Sequence, residues 1–209
     1  QVFIFHDTQD RIAATMRRPK LLRGETALLD VVDVHPTLGC FLDIGLSRHV
    51  LLPMSELPEY PEVRPIVGDR VYAVLRTDKQ GRLLAKPAGE RELAPLSFKA
   101  PGEWKNRTVE AIVYNPLKNA TYVVCPGGVL GFGAIGMIHE SERTRLLRMG
   151  ENVQVRVTFV REDGRLNLSM RPLKQQGRED DAERILAYLK ERPNGSMPYS
   201  DATPADLIM

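Results

Sequence analysis

The sequence contains little cysteine. Its 209 residues include only Cys40 and Cys125, and the 85 positions between them (125 − 40) fit no metal-ligand spacing. Two cysteines in a chain of this length favour buried thiols in a reducing compartment. The four histidines are scattered, with no cysteine or carboxylate spacing around them. The sequence therefore predicts neither a metal site nor a cofactor.

An excess of charge of one sign is also lacking. The 29 lysines and arginines are opposed by 27 aspartates and glutamates, which leaves a formal net charge of +2. Overall charge therefore gives no reason to expect nucleic acid as a partner, and any such expectation must rest on local clusters. No apolar run approaches the ~18 residues that a membrane span requires, and no stretch has the pattern of a signal peptide. We expect a cytoplasmic protein.

Catalytic motifs are scarce as well. Residues 131–136, GFGAIG, spell the dinucleotide-binding pattern GxGxxG, but the strand-like MIHE follows where that motif requires a helix. We expect these glycines to form a turn with close backbone packing. His139 and Glu140 lack the second histidine of a zinc protease, and no GxSxG stretch is present. We find no positive evidence for an enzyme and expect none.

What the sequence does contain is one hairpin pattern written three times, in residues 7–19, 77–89 and 161–172. Each copy follows a β-rich run and consists of a polar turn, an arginine and a short alternating strand, which is typical of a β-hairpin. The arginines, Arg11, Arg82 and Arg165, are separated by 71 and 83 positions (82 − 11 and 165 − 82). Such a unit is too long for a solenoid repeat and suits a small barrel of about five strands.

The repeat divides the chain into four expected parts, and the fold class is predicted to be mainly β. Residues 1–19 would supply the final hairpin of an incomplete first barrel, residues 20–98 a second barrel, and residues 103–174 a third, diverged barrel. The basic segment from 141 to 150 is expected to form a short helix. Beyond it, in residues 178–209, the pattern changes from that of strands to that of a helix, since Ala182, Ile185 and Leu189 have helical spacing. Since the chain opens in a strand and stops in a helical pattern, we interpret it as part of a longer protein.

Barrels of this kind bind single strands through aromatic and basic side chains on one face. Aromatic rings would stack on bases and arginines would contact phosphates. The residues alone leave a second interpretation open, in which the aromatic rings belong to the core and the arginines only solvate a hairpin. The candidates are Phe41, Tyr122, His139, Arg82 and Arg165.

Two basic runs could also contact nucleic acid or could be solvated linkers. Arg17 and Arg18, followed by Lys20 and Arg23, lie at the junction of the first and second units. A second run, in the connector of the third unit, comprises Arg143, Arg145 and Arg148.

The second unit resembles the S1 domain, an RNA-binding barrel named after a small-subunit ribosomal protein. That family has an FGAF segment, an HIS-E segment, VGD, and a hairpin with Asp and Arg four apart. This chain has LGCF at 38–41, PMSEL at 53–57, VGD at 67–69, and Asp78 with Arg82. Leu38 therefore replaces a stacking aromatic residue, and Pro53 replaces the histidine.

The third unit departs from the same pattern elsewhere. It has Asn119 at one aromatic position and Arg161 where the acidic residue should be. The RNA-binding positions that the resemblance implies, together with the basic junction, are Phe41, Asp78, Arg82, Tyr122, His139, Arg161, Arg165, Arg17 and Arg18.

The order of the units resembles the bacterial CvfB/YitL-like family (conserved virulence factor B). The resemblance covers nearly the whole chain and implies tandem OB-fold barrels, RNA binding, a role in gene expression, and a C-terminal winged helix that begins in residues 178–209. We therefore expect a non-catalytic protein that binds single-stranded RNA on its OB-fold faces, with the winged helix as a second nucleic-acid contact. The alternative is a protein-interaction scaffold built on degenerate barrels.

Overall fold

The computed structural model describes residues 2–6, 11–79, 82–127, 131–172 and 186–187. Strands dominate, which confirms the mainly β fold class, and the short helix α1 (Glu90–Leu93) lies between two groups of strands. In the part of the chain that the structure describes, no helix is long and apolar enough to cross a membrane. The strands are β1 (Phe3–His6), β2 (Ile12–Thr15), β3 (Thr26–His35), β4 (Gly39–Leu42), β5 (Val50–Pro53), β6 (Arg70–Thr77), β7 (Leu83–Pro87), β8 (Thr108–Pro116), β9 (Ala120–Pro126), β10 (Gly133–His139), β11 (Asn152–Val160) and β12 (Leu166–Ser169).

The barrel predicted for residues 20–98, which we call the first barrel from here on, is closed by β3 to β7 in the order β3-β4-β5-β7-β6, with β6 pairing back onto β3. The barrel predicted for residues 103–174 is called the second barrel. Its neighbouring strands are antiparallel apart from β5 and β7, which is the connectivity of an OB-fold. Alternate side chains point inward, so that Cys40 and Leu42 of β4 and Val50 and Leu52 of β5 are buried in one core.

The second barrel repeats this arrangement with β8 to β12 in the closed order β10-β12-β11-β8-β9. Its parallel pair is β10 with β12, the equivalent of β5 with β7. Leu166 and Leu168 are both buried in its core, as the alternating pattern of the last hairpin predicts. The prediction of closed five-stranded barrels is therefore confirmed for these two groups of strands.

The VGD segment at 67–69 and the MGE segment at 149–151 form the same turn, before β6 and β11 respectively. Gly68 and Gly150 adopt left-handed φ angles of 95° and 84°, a conformation that favours glycine. The carboxylate of Asp69 accepts from the Ile66 N–H, and that of Glu151 accepts from the Arg148 N–H, each across three residues at 2.9 Å. The repeated phrase thus encodes a repeated turn.

The glycines of GFGAIG allow close packing within the second barrel. Gly133 and Gly136 lie within β10, so the expected turn at these two glycines is wrong, while residues 137–139 form the expected strand. A Cβ atom added to Gly133 would lie 1.8 Å from the Cys125 carbonyl oxygen, and one added to Gly136 would lie 2.5 Å from Leu168 Cδ1. The segment has the close approach that the sequence predicts in place of the strand–turn–helix of a dinucleotide site.

Other predictions are corrected or fall outside the described residues. The expected helix at 141–150 is wrong, since only Glu140–Glu142 form a turn of 3₁₀ helix and an extended segment follows. β1 and β2 pair as an antiparallel hairpin, and their assignment to an incomplete barrel stays a prediction. Of residues 178–209 the structure describes only 186 and 187, both helical, so the winged helix lies outside the described residues.

The two barrels pack against each other through an apolar cluster that we call the inter-barrel cluster. The Tyr72 hydroxyl of the first barrel donates to the Gly131 carbonyl at 2.6 Å. The Met149 side chain, from the connector of the second barrel, is buried in the core of the first. The contact therefore fixes one barrel on the other. The cluster comprises the buried residues Tyr72, Ala88, Leu93, Ile112, Tyr114, Val124 and Ile135, with Leu28, Val74, Tyr122 and Phe132 partly buried against it.

Candidate functional site

Phe41 lies on the outer surface of the first barrel. Its neighbours along β4, Cys40 and Leu42, point into the core, so the ring of Phe41 points outward and is only half-buried. Register places it beside Asp33 of β3 and Leu51 of β5. The interpretation of Phe41 as a core residue is therefore wrong. Five outward-facing residues are paired in turn across neighbouring strands, and we call them the outer row. They are Asp33, Phe41, Leu51, Leu84 and Arg76.

Arg82 and Asp78 close the hairpin between β6 and β7. The guanidinium Nε of Arg82 donates to Asp78 Oδ2 at 2.8 Å, and the Arg82 backbone N–H donates to Oδ1 at 2.8 Å. Arg82 still exposes 66% of its side chain. Since Leu84 of the outer row follows two residues later, Arg82 stands at the end of the surface that carries Phe41. An exposed ion pair of this kind contributes little to stability, so a phosphate could compete for the guanidinium.

Tyr122, the equivalent of Phe41 in the second barrel, is in a different environment. It also points outward, next to Met137 in the register of β10, but it is partly buried against the inter-barrel cluster. Its ring centroid lies 6.2 Å from that of Tyr114. The inter-barrel cluster therefore covers part of the surface on which this ring would stack on a base.

His139 is exposed at the end of β10 and caps the turn that follows. Its Nδ1 lies 2.8 Å from the Ser141 hydroxyl and accepts from the Ser141 backbone N–H at 3.3 Å. Pro53 ends the corresponding strand of the first barrel and has no polar side chain for this role. His139 thus organises its own turn, and its ring edge is engaged there.

The repeated hairpin predicts a turn arginine that is free to face the binding groove, with Arg165 exposed beside Tyr122 and His139, and this prediction of a free guanidinium is wrong. Its guanidinium forms an ion pair with Glu90 of α1, and Asp163 lies 3.8 Å away. The hydrogen bond to Glu90 raises the pKa of Arg165. Leu166, the next residue, pairs with Gly136, so Arg165 is about four residues, or ~13 Å, along the strand from His139. The linker helix provides the carboxylate, and no local sequence pattern places it there.

Arg161 begins the same hairpin and is paired locally. Its backbone N–H donates to the Arg165 carbonyl at 2.8 Å, and its guanidinium lies 3.4 Å from Asp163. Asp163 thus lies beside both arginines of this turn.

The junction before the first barrel is exposed. Arg18 pairs with Glu25 at 2.6 Å, with 64% of the arginine side chain exposed. Lys20 bridges Asp43 and Asp30, and the hydrogen bond that its ammonium donates to Asp43 raises the pKa of Lys20. Arg17 is exposed at the end of β2. The RNA-binding assignments of Arg17 and Arg18 stay predictions.

The arginines of the connector between β10 and β11 serve the protein's own structure. Arg143 donates to the carbonyls of Leu117 and Lys118 and to the Thr121 hydroxyl. Arg148 makes a two-pronged contact with Asp69 of the first barrel, at 3.0 and 3.2 Å. The Arg143 contacts brace the connector on the β8–β9 hairpin, and the Arg148 contact braces its turn on the first barrel, so this run is not a free basic patch.

Glu151 completes that braced turn. Its carboxylate is largely buried, at 8% exposure, between Arg145 and Arg148. Burial alone would raise the pKa of Glu151, but the hydrogen bonds from Arg145 and the Arg148 N–H lower it overall.

Neither thiol is suited to chemistry. Cys40 and Cys125 are both buried and unbonded to each other, and burial raises their pKa values to about 11 and about 12. Within the described ranges no group of three or more His, Cys, Asp or Glu side chains could hold a metal ion.

Sequence reasoning missed one feature, a groove between the barrels. It is lined by Tyr60, Lys86 and Lys118, among others. The sequence shows Tyr60 only within an irregular connector, and nothing in it indicates that residues 60 and 118 come together. An aromatic residue in a proline-flanked polar segment, PEYPE, is the one signal that could have drawn attention to it.

Two family models match the chain. Residues 27–86 match the model described as the first S1-like domain of CvfB, and residues 93–172 match the model described as the second domain of the virulence regulatory factor CvfB. The first match spans the first barrel, and the second begins at the end of α1 and spans the second barrel.

Relatives that align over nearly the whole of this chain agree with these matches. The protein YitL of Bacillus subtilis is 39% identical over 208 residues, which cover 100% of this chain and 68% of YitL. Conserved virulence factor B of Staphylococcus saprophyticus is 30% identical over 207 residues, which cover 99% of this chain and 67% of that protein. A crystal structure of a Streptococcus pneumoniae multidomain protein with nucleic acid binding domains superposes with a TM-score of 0.74 at 30% identity, covering 98% of this chain and 71% of that one.

Proposed function

The chain belongs to the conserved virulence factor B family, and from this premise we propose that it is a non-catalytic protein that binds single-stranded RNA on the outer row of its first barrel. A role in regulating gene expression and a cytoplasmic location are part of the proposal. Support comes from the S1-like domain model that matches the first barrel and from a similar structure described as having nucleic acid binding domains.

The observation that carries the proposal is the position of Phe41. Its ring points outward from β4 and belongs to neither barrel core. Leu51 and Leu84 continue the same surface, with Arg82 at its end. A base can stack on the ring while an arginine contacts the neighbouring phosphate, which is how OB-folds hold single strands.

The second barrel is assigned a smaller part. Tyr122 is partly buried against the inter-barrel cluster, and Arg165 pairs with Glu90. RNA would have to displace that carboxylate to reach the arginine. We therefore place the main contact on the first barrel.

Binding to a fluorescent single-stranded 12-nucleotide RNA tests the proposal, by anisotropy at two salt concentrations. Phe41→Ala should weaken binding about 5- to 150-fold, because stacking contributes about 1–3 kcal/mol per base. Phe159→Ala is the matched control, since Phe159 is 52% exposed on β11 of the second barrel, and it should leave the Kd within about twofold. A Kd of the unchanged chain weaker than about 10⁻⁴ M at low salt would contradict RNA binding.

The junction arginines are tested by salt dependence. Replacing Arg17 and Arg18 by Ala should reduce the slope of log K against log salt by about 0.7 for each phosphate that these side chains neutralise. The exposed Arg18–Glu25 pair contributes little to folding, so the melting temperature should stay nearly constant. An unchanged slope would show that these residues are a solvated linker.

A protein-interaction scaffold is the second candidate. The pairing of Arg82, Arg161 and Arg165 with carboxylates favours it, because paired arginines attract phosphate less strongly. A pulldown with and without ribonuclease separates the two candidates. Partners that persist after ribonuclease support the scaffold, and partners that ribonuclease releases support RNA bridging.

A further inference from the structure

A groove of about 460 Å³ lies where the first barrel meets the second. One wall is formed by residues 56–60 and the end of β7, and the other by residues 114–118. Val63, Tyr114 and Met149 form a buried, apolar floor. The volume falls within the about 300–1,000 Å³ that is usual for sites that hold small molecules.

The rim of this groove carries an aromatic side chain on a braced loop. Tyr60 is 60% exposed. The guanidinium of Arg64 donates to the carbonyls of Pro58 and Glu59, each at 2.8 Å, and the Val63 N–H donates to the Tyr60 carbonyl at 3.2 Å. The backbone that carries the exposed ring is therefore held in place, so little backbone entropy would be lost when a flat ligand stacks on the ring.

The charges around the groove favour an anion. Lys86 and Lys118 are exposed, one on each wall. Two acidic residues also line it, and the charge of one of them, Glu56, is balanced by Arg76 at 2.6 Å. Glu59 offsets one of the two lysines, so the net charge at the rim is about +1. This value is small, but it suits a ligand whose negative charge lies beside an apolar, planar part.

We propose that the inter-barrel groove holds an unpaired nucleobase of a single-stranded nucleic acid, stacked on Tyr60, with the adjoining phosphates between Lys86 and Lys118. Asn115 lines the same wall, and its amide offers both a donor and an acceptor to the edge of a base. The inference rests on the proposed function and adds to it a second contact that neither barrel forms alone. A strand that stacks on Phe41 and in this groove would be held by the packing of the two barrels.

The test is binding of the whole 209-residue chain to a fluorescein-labelled 12-nucleotide uridine RNA. Tyr60→Ala should weaken binding about 5- to 150-fold. The matched Tyr60→Phe keeps the ring and should stay within about twofold. Because Tyr60 is exposed, both variants should retain the melting temperature, so weaker binding cannot be attributed to unfolding.

Charge and sugar are tested separately. Replacing Lys86 and Lys118 together by Ala should reduce the salt slope by about 1.4, the value for two neutralised phosphates on a single strand. The same oligonucleotide made of DNA tests whether the groove takes a base from DNA as well as from RNA. Equal weakening by Tyr60→Ala on RNA and DNA is expected, because stacking requires no 2′-hydroxyl.

The outcomes separate this inference from the proposed function. If the unchanged chain binds, Phe41→Ala weakens it, and Tyr60→Ala behaves like Tyr60→Phe, the groove is wrong and the outer row stands. If Tyr60→Ala weakens binding and Phe41→Ala does not, the groove stands and the outer row is wrong. No binding by the unchanged chain overturns both.

Discussion

Replacing Met149 by Ala tests whether the two barrels fold as one unit. Met149 belongs to the connector of the second barrel, but its side chain is 6% exposed within the core of the first. Its backbone N–H donates to the Val63 carbonyl at 2.9 Å, and alanine preserves that bond. The substitution therefore removes only the buried side chain.

The magnitude follows from the atoms removed. Truncation deletes three heavy atoms, at about 0.8 kcal/mol for each methylene-sized group, and leaves a cavity that partial relaxation does not fill. We expect a loss of about 2–5 kcal/mol in the free energy of unfolding. For a chain of this size that loss lowers the melting temperature by about 4–20 °C.

The assay is urea unfolding followed by two signals. Circular dichroism reports all strands, whereas the fluorescence of Trp104, the single tryptophan of the sequence, reports the second barrel, against whose core it packs. Both transitions should shift together to lower urea. Met16→Ala, at a side chain 84% exposed, is the matched control and should change stability by less than about 0.5 kcal/mol.

Two results would refute this reasoning. A loss below about 0.5 kcal/mol in Met149→Ala would mean that the side chain does not fill the core. A circular dichroism shift with an unmoved Trp104 transition would mean that the barrels unfold independently.

Two further predictions concern a buried tyrosine and a packed glycine. Burial, with Glu90 nearby, raises the pKa of Tyr114 to about 12. Since the pKa in the unfolded chain is about 10, the stabilisation from the neutral phenol is complete below about pH 10 and is lost as the pH rises towards 12. Tyr114→Phe should therefore flatten the alkaline fall in unfolding free energy by about 2–3 kcal/mol between about pH 9 and 12, and an effect no larger than that of the exposed Tyr60→Phe would contradict this. Gly164→Ala should cost more than Gly68→Ala in thermal melts, since both glycines have positive φ but only at Gly164 would a Cβ meet another residue, 2.4 Å from the Lys99 Cβ. Equal losses would show that the backbone conformation alone requires glycine.

Periodicity and turn chemistry determined the barrels from the sequence. Leu166 and Leu168 are both buried with the less buried Asn167 between them, as the strand period of two predicts. The VGD and MGE segments each carry a glycine that can adopt positive φ and an acidic residue that can accept an N–H three residues back. These requirements are local in the chain, so their sequence pattern suffices to predict them.

The environment of each candidate side chain was decided by tertiary packing. Phe41 and Tyr122 occupy equivalent outward positions and both are partly buried, yet only Tyr122 packs against the inter-barrel cluster. Arg165 meets Glu90 across 75 positions of sequence, and Arg148 meets Asp69 across 79. Neither pair has a spacing signal, because both depend on how two closed barrels dock.

The sequence by itself therefore determined the strands of the two barrels, the buried leucines of the last hairpin and the turns before β6 and β11, because those features depend on neighbours within a few residues. Only the tertiary structure decided which of the outward residues stay accessible and that Tyr60, Lys86 and Lys118 border one groove. The physical reason is that accessibility and long-range ion pairs are properties of two docked surfaces, and the pattern along a strand does not encode which surface will cover it.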